Sequence, residues 1–223
     1  MIKKRPLTNK TELFIIFDYD GVIVDSAETI KGIMDIIGLP VINKADFQEV
    51  FSGRQLDILR HFNLSRTQIG FLFLRHWKKI LGLLNNTPLQ PGVELIIPSL
   101  SKEYTLAINS SAPSWFIRRI LRKNNLLQHF SLVRGGGAEW DKVKKFHQIL
   151  KKLGFSKHNT LFVTDTSVDI EDAQKAGIKV IAITTGFDTK QHLQAKNPLH
   201  VIDSLDKLLT ILNDTKTKNE RNE

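Results

Sequence analysis

The feature that most constrains this chain is a recurring pairing, in which a short continuous apolar run is followed by a stretch with helical spacing. The runs lie at residues 13–17, 105–108, 161–163, 180–183 and 201–202. An uninterrupted apolar run of this length suits a strand buried on both faces, as in a parallel sheet. Strand and helix alternating along the chain is the sequence sign of an α/β domain with a mostly parallel sheet. At 223 residues, 41% hydrophobic and 25% charged, the chain is large enough for one such domain carrying an insertion. The same composition argues against wholesale disorder or a collagen-like repeat.

Between residues 26 and 90 the alternation stops, and helix follows helix with breaks at Gly38-Leu39-Pro40, Ser52-Gly53 and Asn63-Leu64-Ser65. This predicts an all-helical insertion. Its longest helix, residues 66–84, places Ile69, Phe73, Ile80 and Leu84 on one face and Leu74, Trp77 and Leu81 on another. A helix apolar around so much of its circumference is expected inside a small bundle. Pro91-Gly92 returns the chain to the α/β pattern through residues 93–100. The expected division is an α/β core of residues 1–25 and 91–223 with a helical insertion of residues 26–90. The polar end from Asn213 onward is expected to fray.

The formal net charge is +9. Such a charge attracts nucleic acid or anionic metabolites. No compact basic run and no RNA-binding aromatic signature accompany it, so a lysine-rich solvated surface is the better account and nucleic acid is not the expected partner. There is no cysteine, which excludes disulfides, cysteine-ligated metal and a thiol nucleophile, and fits a reducing, cytoplasmic setting. The basic opening resembles a secretory leader, but its apolar run is five residues long and ends at Asp18, too short for a signal core. No stretch approaches the ~20 apolar residues that cross a bilayer, so no membrane association is expected.

Chemistry concentrates where the apolar runs end. Phe17-Asp18-Tyr19-Asp20-Gly21-Val22 follows the first run directly. Two carboxylates two residues apart at a strand end can face the same side of a sheet, and Gly21 permits a sharp turn after them. Ligands of open parallel sheets bind beyond the carboxyl ends of the strands. A pair of solvated loop aspartates is the plainer alternative. A second acidic group, Asp165 and Asp169, follows the run at residues 161–163. Carboxylates converging from two strand ends need a cation or protons to offset their repulsion, and hard oxygen ligands suit Mg²⁺. The same segment also reads as a capped helix start, with an aspartate or Thr166 capping a helix from Ser167.

Asn109-Ser110-Ser111 ends the run at residues 105–108, with Pro113 opening the next helix. Serine hydroxyls and backbone N–H groups there suit a phosphate, and an N-cap serine is the alternative. Asp141-Lys142-Val143-Lys144-Lys145 starts a helix running to Leu153-Gly154, whose lysines can neutralise anionic oxygens or face solvent. Gly135-Gly136-Gly137 lacks the Gly-Lys-Ser/Thr of a phosphate cradle and reads as a flexible loop.

In this order the segments resemble the haloacid dehalogenase (HAD) superfamily from about residue 13 to residue 212. Residues 17–26, Phe-Asp-Tyr-Asp-Gly-Val-Ile-Val-Asp-Ser, are similar to the first motif of its beta-phosphoglucomutase and phosphoglycolate phosphatase group, and Leu106-Ala107-Ile108-Asn109-Ser110 is similar to the second. That group carries a small helical cap immediately after the first motif, and Leu89-Gln90-Pro91-Gly92-Val93 resembles its return to a Rossmann-like core. The resemblance implies a Mg²⁺-dependent phosphoric monoester hydrolase acting on small phosphorylated metabolites. Asp18 would be the nucleophile, forming an aspartyl-phosphate. Asp20 would protonate the leaving oxygen and then activate water. Mg²⁺ would be held by Asp18, the backbone carbonyl of Asp20, Asp165 and Asp169, the last directly or through water. Ser110, Ser111 and a lysine would bind phosphoryl oxygens. Phe51-Ser52-Gly53-Arg54 resembles the loop lowered over substrate, with Arg54 facing a second anionic group.

Two motifs depart from the family pattern. The usual Lys-Pro of the third is replaced by Trp140-Asp141-Lys142-Val143, so spacing selects Lys142, with Lys145 and Lys144 behind it. Thr164-Asp165-Thr166 replaces the common Gly-Asp opening of the fourth, leaving both carboxylates. An aspartate at position 20 suits phosphoryl transfer and argues against dehalogenation. Two rivals to the phosphatase stay open: a sugar phosphomutase using the same intermediate, and a non-catalytic protein on a HAD scaffold that binds nucleic acid or another ligand.

Overall fold

The computed structural model describes residues 13–39, 65–136 and 141–220. Phe14, Ile15, Ile16 and Phe17 have no solvent exposure, because strand β1 (Phe14–Phe17) runs through the middle of a sheet covered on both faces. The other strands are β2 (Thr105–Pro113), β3 (Leu132–Gly136), β4 (Thr160–Thr164), β5 (Lys179–Ile183) and β6 (His200–Ile202). Their order is β3-β2-β1-β4-β5-β6, and every neighbouring pair is parallel. Successive strand residues point to opposite faces, so Ile15 and Phe17 enter one core layer and Phe14 and Ile16 the other. The first layer is closed by α3 (Val93–Glu103), α4 (Ser114–Lys123) and α8 (Leu205–Glu220). The second is closed by α5 (Lys142–Leu153), α6 (Ser167–Lys175) and α7 (Lys190–Ala195). Each fully buried Ile or Phe contributes about 1.5–3 kcal/mol. The expected α/β class with a mostly parallel sheet is the observed one.

The chain passes from β1 outward through β2 and β3, then crosses back to β4 on the other side of β1. This reversal opens a crevice beyond the carboxyl ends of β1, β2 and β4, the place where open α/β sheets bind ligands.

Within residues 26–90 the described elements are α1 (Ala27–Ile36) and α2 (Arg66–Asn85). The break expected near Ser65 is a capping box: the Ser65 hydroxyl accepts from the Gln68 backbone N–H, and the Gln68 side chain accepts from the Ser65 N–H at 2.8 Å. Ile33, Met34 and Ile37 pack against Ile80, with Phe73 and Leu84 half-buried beside them. The second apolar face of α2 differs from expectation. Leu74 is 75% and Trp77 42% exposed, and the Trp77 ring meets Trp115 of α4 at 5.7 Å between centroids.

Three other expectations need correction. Strand β3 was not expected, and Gly135-Gly136, read as loop, lie within it. A Cβ on either glycine would strike the backbone of Ala112 or Ser111, so glycine here permits close strand approach. Strand β2 continues beyond Ile108 to Pro113, so Pro113 precedes helix α4 as its N-cap residue. The end expected to fray at Asn213 stays helical to Glu220, since nothing in it is a glycine or proline breaker. No helix among the described residues is long and apolar enough to cross a membrane.

Candidate active site

Asp18 is the first residue after β1, and its N–H donates to the Val163 carbonyl at 2.9 Å, tying the ends of β1 and β4 together. The chain then turns tightly, with the Ile23 N–H on the Tyr19 carbonyl and the Gly21 N–H on the Val24 carbonyl, both at 2.9 Å. Gly21 takes the φ of +72° that this turn requires. Its carbonyl is clamped by the Thr185 hydroxyl at 2.8 Å and the Gln90 side-chain amide at 3.2 Å. The Asp18 carboxylate, 6% exposed, is left facing the crevice.

Lys142, in the first turn of α5, crosses to this carboxylate. Its ammonium donates to Asp18 Oδ2 at 2.8 Å and, more closely still, to Asp169 Oδ2 on α6. Three buried titratable side chains thus share one network. Burial alone would lower the Lys142 pKa, but the Asp169 and Asp18 carboxylates outweigh it and raise it. Burial raises Asp169 as well, yet the Lys142 ammonium and hydrogen-bond donors hold it below the usual range. Asp18 moves the other way: burial, with the Asp169 and Asp165 charges, pushes it well up against the pull of Lys142. Asp20 is half-buried, and burial raises its pKa against opposing effects of the Ser26 hydroxyl and Lys142.

Asp165 follows β4 and has no exposure. Its Oδ2 accepts from the Phe187 N–H at 2.8 Å, while Oδ1 is buried with no hydrogen-bond partner. Burial pushes this carboxyl up to about 7. The carboxylate lies against the backbones of Gly21 and Gly186, and a Cβ on either would collide with it. Close beside it, the N-terminus of α6 is capped from outside its own segment. Thr166 makes no side-chain cap bond, and Asp188 Oδ2 accepts from the Ser167 N–H at 2.6 Å. The capping aspartate comes from the loop after β5, not from the segment around Asp165.

Ser110 is fully buried, its hydroxyl accepting from the Ala112 N–H at 3.0 Å, and Ser111 is half-buried. Asn109 also has no exposure and donates to the Lys142 carbonyl at 3.4 Å, joining β2 to the start of α5. Among the three candidate lysines, Lys142 reaches the carboxylates, Lys144 is exposed, and Lys145 donates to the Ser110 carbonyl at 2.6 Å. Arg54 and its loop lie outside the described residues. The motif reading did not assign Gln90, Thr185, Gly186 or Asp188. The sequence signal for the last three was present: Thr184-Thr185-Gly186-Phe187-Asp188 follows a buried strand just as the two recognised acidic segments do.

Among the described residues no three carboxylate or histidine side chains are already gathered round one point, and the Lys142 ammonium lies between Asp18 and Asp169. The donors nevertheless fit a hard divalent cation. They are all oxygens, and the buried, unpartnered Asp165 Oδ1 is a lone pair that a cation would satisfy.

A family model of haloacid dehalogenase-like hydrolases matches residues 15–183. The chain belongs to the haloacid dehalogenase-like hydrolases. This HAD-like hydrolase is 29% identical over 200 residues to the phosphoglycolate phosphatase of Synechococcus elongatus, covering 87% of this chain and 94% of that one. It is 26% identical over 213 residues to a 5'-nucleotidase of Pseudomonas aeruginosa, covering 89% and 94%. The solved structure of a haloacid dehalogenase-like family hydrolase from Streptococcus pneumoniae superposes with a TM-score of 0.77 at 22% identity, covering 90% of this chain and 99% of that one, a likeness of fold. The resemblance carried by the sequence motifs is therefore borne out at the level of the family.

Proposed function

We propose that this HAD-like hydrolase is a cytoplasmic, Mg²⁺-dependent phosphatase that releases phosphate from small phosphorylated metabolites through an aspartyl-phosphate on Asp18. The observation that carries the reading is the Asp18–Lys142–Asp169 network at the strand ends, with Asp165 beside it and the buried Ser110 segment next to Lys142. Relatives named phosphoglycolate phosphatase and 5'-nucleotidase, matched over nearly their whole length, support the substrate class.

In the first half-reaction a carboxylate oxygen of Asp18 bonds to phosphorus as the ester P–O bond breaks. The leaving oxygen takes a proton from Asp20, whose raised pKa favours the protonated form needed for that task. In the second half Asp20 takes a proton from water, the water oxygen bonds to phosphorus, and the bond to Asp18 breaks, freeing inorganic phosphate and restoring both carboxyls. Lys142 stays positively charged throughout and balances the phosphoryl oxygens. Ser110 and Ser111 would orient the phosphoryl group. Mg²⁺, held by Asp18, the Asp20 carbonyl, Asp165 and Asp169, would supply the charge that lets an anionic carboxylate approach an anionic phosphate. Residues 26–90 would be the cap over a core of residues 1–25 and 91–223, closing to exclude water and bringing Arg54 toward a second anionic group of the substrate.

The test is release of inorganic phosphate from phosphoglycolate, sugar phosphates, nucleoside monophosphates and an aryl phosphate, each with Mg²⁺ or with EDTA. Release that requires the metal is expected from at least one ester. Conversion of a sugar phosphate without free phosphate would point to a mutase instead, and no reaction on any ester would contradict an enzyme of this class.

A further inference from the structure

Lys145 is a buried charge for which the mechanism above has no use. It lies one turn after Lys142 on the same face of α5, has no solvent exposure, and its ammonium donates to the Ser110 backbone carbonyl at 2.6 Å. Among the described residues no carboxylate lies within ion-pairing distance of it, whereas Lys142 has two. An isolated buried ammonium is unfavourable and tends to lose its proton. Burial, with Lys142 on its own helix and Arg134 on β3, pulls the Lys145 pKa down to about 8 against the opposing charges of Asp18 just after β1 and Asp169 on α6. A cation set beside a second cation destabilises the free protein, and an arriving anion relieves that cost.

We infer that Lys145 is a positioning residue for the phosphoryl group: it fixes the Ser110-Ser111 backbone through the Ser110 carbonyl and brings a second positive charge to the floor of the site, neutralised by the bound anion and not by the protein. The inference rests on the phosphatase reading and adds a residue to it. The place on the helix matters. At position 145 the side chain passes under β2 to the Ser110 carbonyl, whereas Lys144, one residue earlier, points to solvent.

The decisive experiment compares the wild type with Lys145→Met and Lys145→Arg. It measures calorimetric binding of inorganic phosphate with Mg²⁺ present, KM and kcat on an aryl phosphate, and thermal midpoints. For Lys145→Met the phosphate Kd and the KM should each rise about tenfold, as loss of a charge-assisted contact implies, with no fall in the thermal midpoint. Lys145→Arg, which keeps the charge and a donor, should recover most of the phosphate affinity. In the wild type, affinity should fall as pH rises through about 8, the pKa of Lys145, and in Lys145→Arg that fall should disappear. A lower midpoint with unchanged Kd, KM and pH dependence would make Lys145 a packing residue and overturn the inference. If Lys145→Met does not fold, a wild-type phosphate affinity that is flat through pH 8 overturns it equally. A wild type that binds phosphate but hydrolyses no ester would sink the phosphatase reading alone, which keeps the two failures distinct.

Discussion

Lys142 neutralises Asp18 and Asp169 together, so its loss leaves two buried carboxylates facing each other. Lys142→Met should therefore cost about 3 kcal/mol or more of stability, since removing one partner of a buried pair strands the others. It should also lower kcat/KM by about 10² or more, as losing a preorganised charge does; urea melts and steady-state kinetics on one ester check both. Asp165 gives a prediction with a definite sign. Its folded pKa of about 7 lies above the ordinary carboxylate value of ~3.9, so the folded state holds the proton more tightly than the unfolded chain. In metal-free protein its contribution to stability is fully present below about pH 4 and is lost as pH rises toward about 7. A divalent cation favours the ionised form, so the rise in thermal midpoint on adding Mg²⁺ should grow across that window. A midpoint rise independent of pH would contradict a metal ligand at Asp165. At this scale the sequence points to Asp18 and Asp165 by their place at strand ends, and to Lys142 by its spacing from Leu153-Gly154 in the family motif. The orphaned Asp165 Oδ1, and the contact of Lys145 with the Ser110 carbonyl, depend on which way side chains point, and local spacing does not carry that.

Helix α6 brings Asp169 to the site from its first turn, and the Ser167 N–H at its start is held from another element by Asp188. Asp188→Ala should cost about 1–2 kcal/mol, the range for losing an N-cap. It should also reduce kcat by loosening Asp169, without moving the acidic limb of the pH–rate profile; denaturant melts paired with a pH–rate series test this. Gly186→Ala should be more damaging to function than to folding, because the added methyl would meet the Asp165 carboxylate directly. Its signature would be a weakened Mg²⁺-induced shift in thermal midpoint. The strands at residues 13–17, 161–163 and 180–183 were readable because burial on both faces leaves an unbroken apolar run. Strand β3 was not, since it alternates buried Val133 and Gly135 with exposed Arg134 and ends in glycines. Glycine there answers a close approach of β2, which is information about a neighbour and not about the segment itself. The cross-chain cap by Asp188 is invisible for the same reason: donor and acceptor are 21 residues apart.

At the scale of the molecule, strand order does most to make a site, because β1 lies between β2 and β4 and three chemically different strand ends open into one crevice. The helices of the 26–90 segment reach the core through α2 and α4, where the Asn85 side chain accepts from Arg119 at 2.7 Å and its carbonyl from Lys123 at 2.7 Å, next to the Trp77–Trp115 contact. The net charge of +9 draws anions toward the molecule as a whole. Accordingly kcat/KM for a dianionic ester should fall as ionic strength rises, with kcat little changed, as screening of long-range attraction requires. The α/β class and the helices described within residues 26–90 were legible because hydrophobic period alone specifies them, whereas no such period specifies a substrate. If phosphate passes through Asp18, acid-quenching of Asp20→Ala mixed with a radiolabelled aryl phosphate, whose leaving oxygen departs without a proton from Asp20, traps it on the protein. That variant lacks the base for the second step, so protein-bound label should accumulate in it and vanish in the Asp18→Asn, Asp20→Ala double variant. Label that persists without Asp18, or phosphatase turnover that survives in Asp18→Asn, would contradict the account.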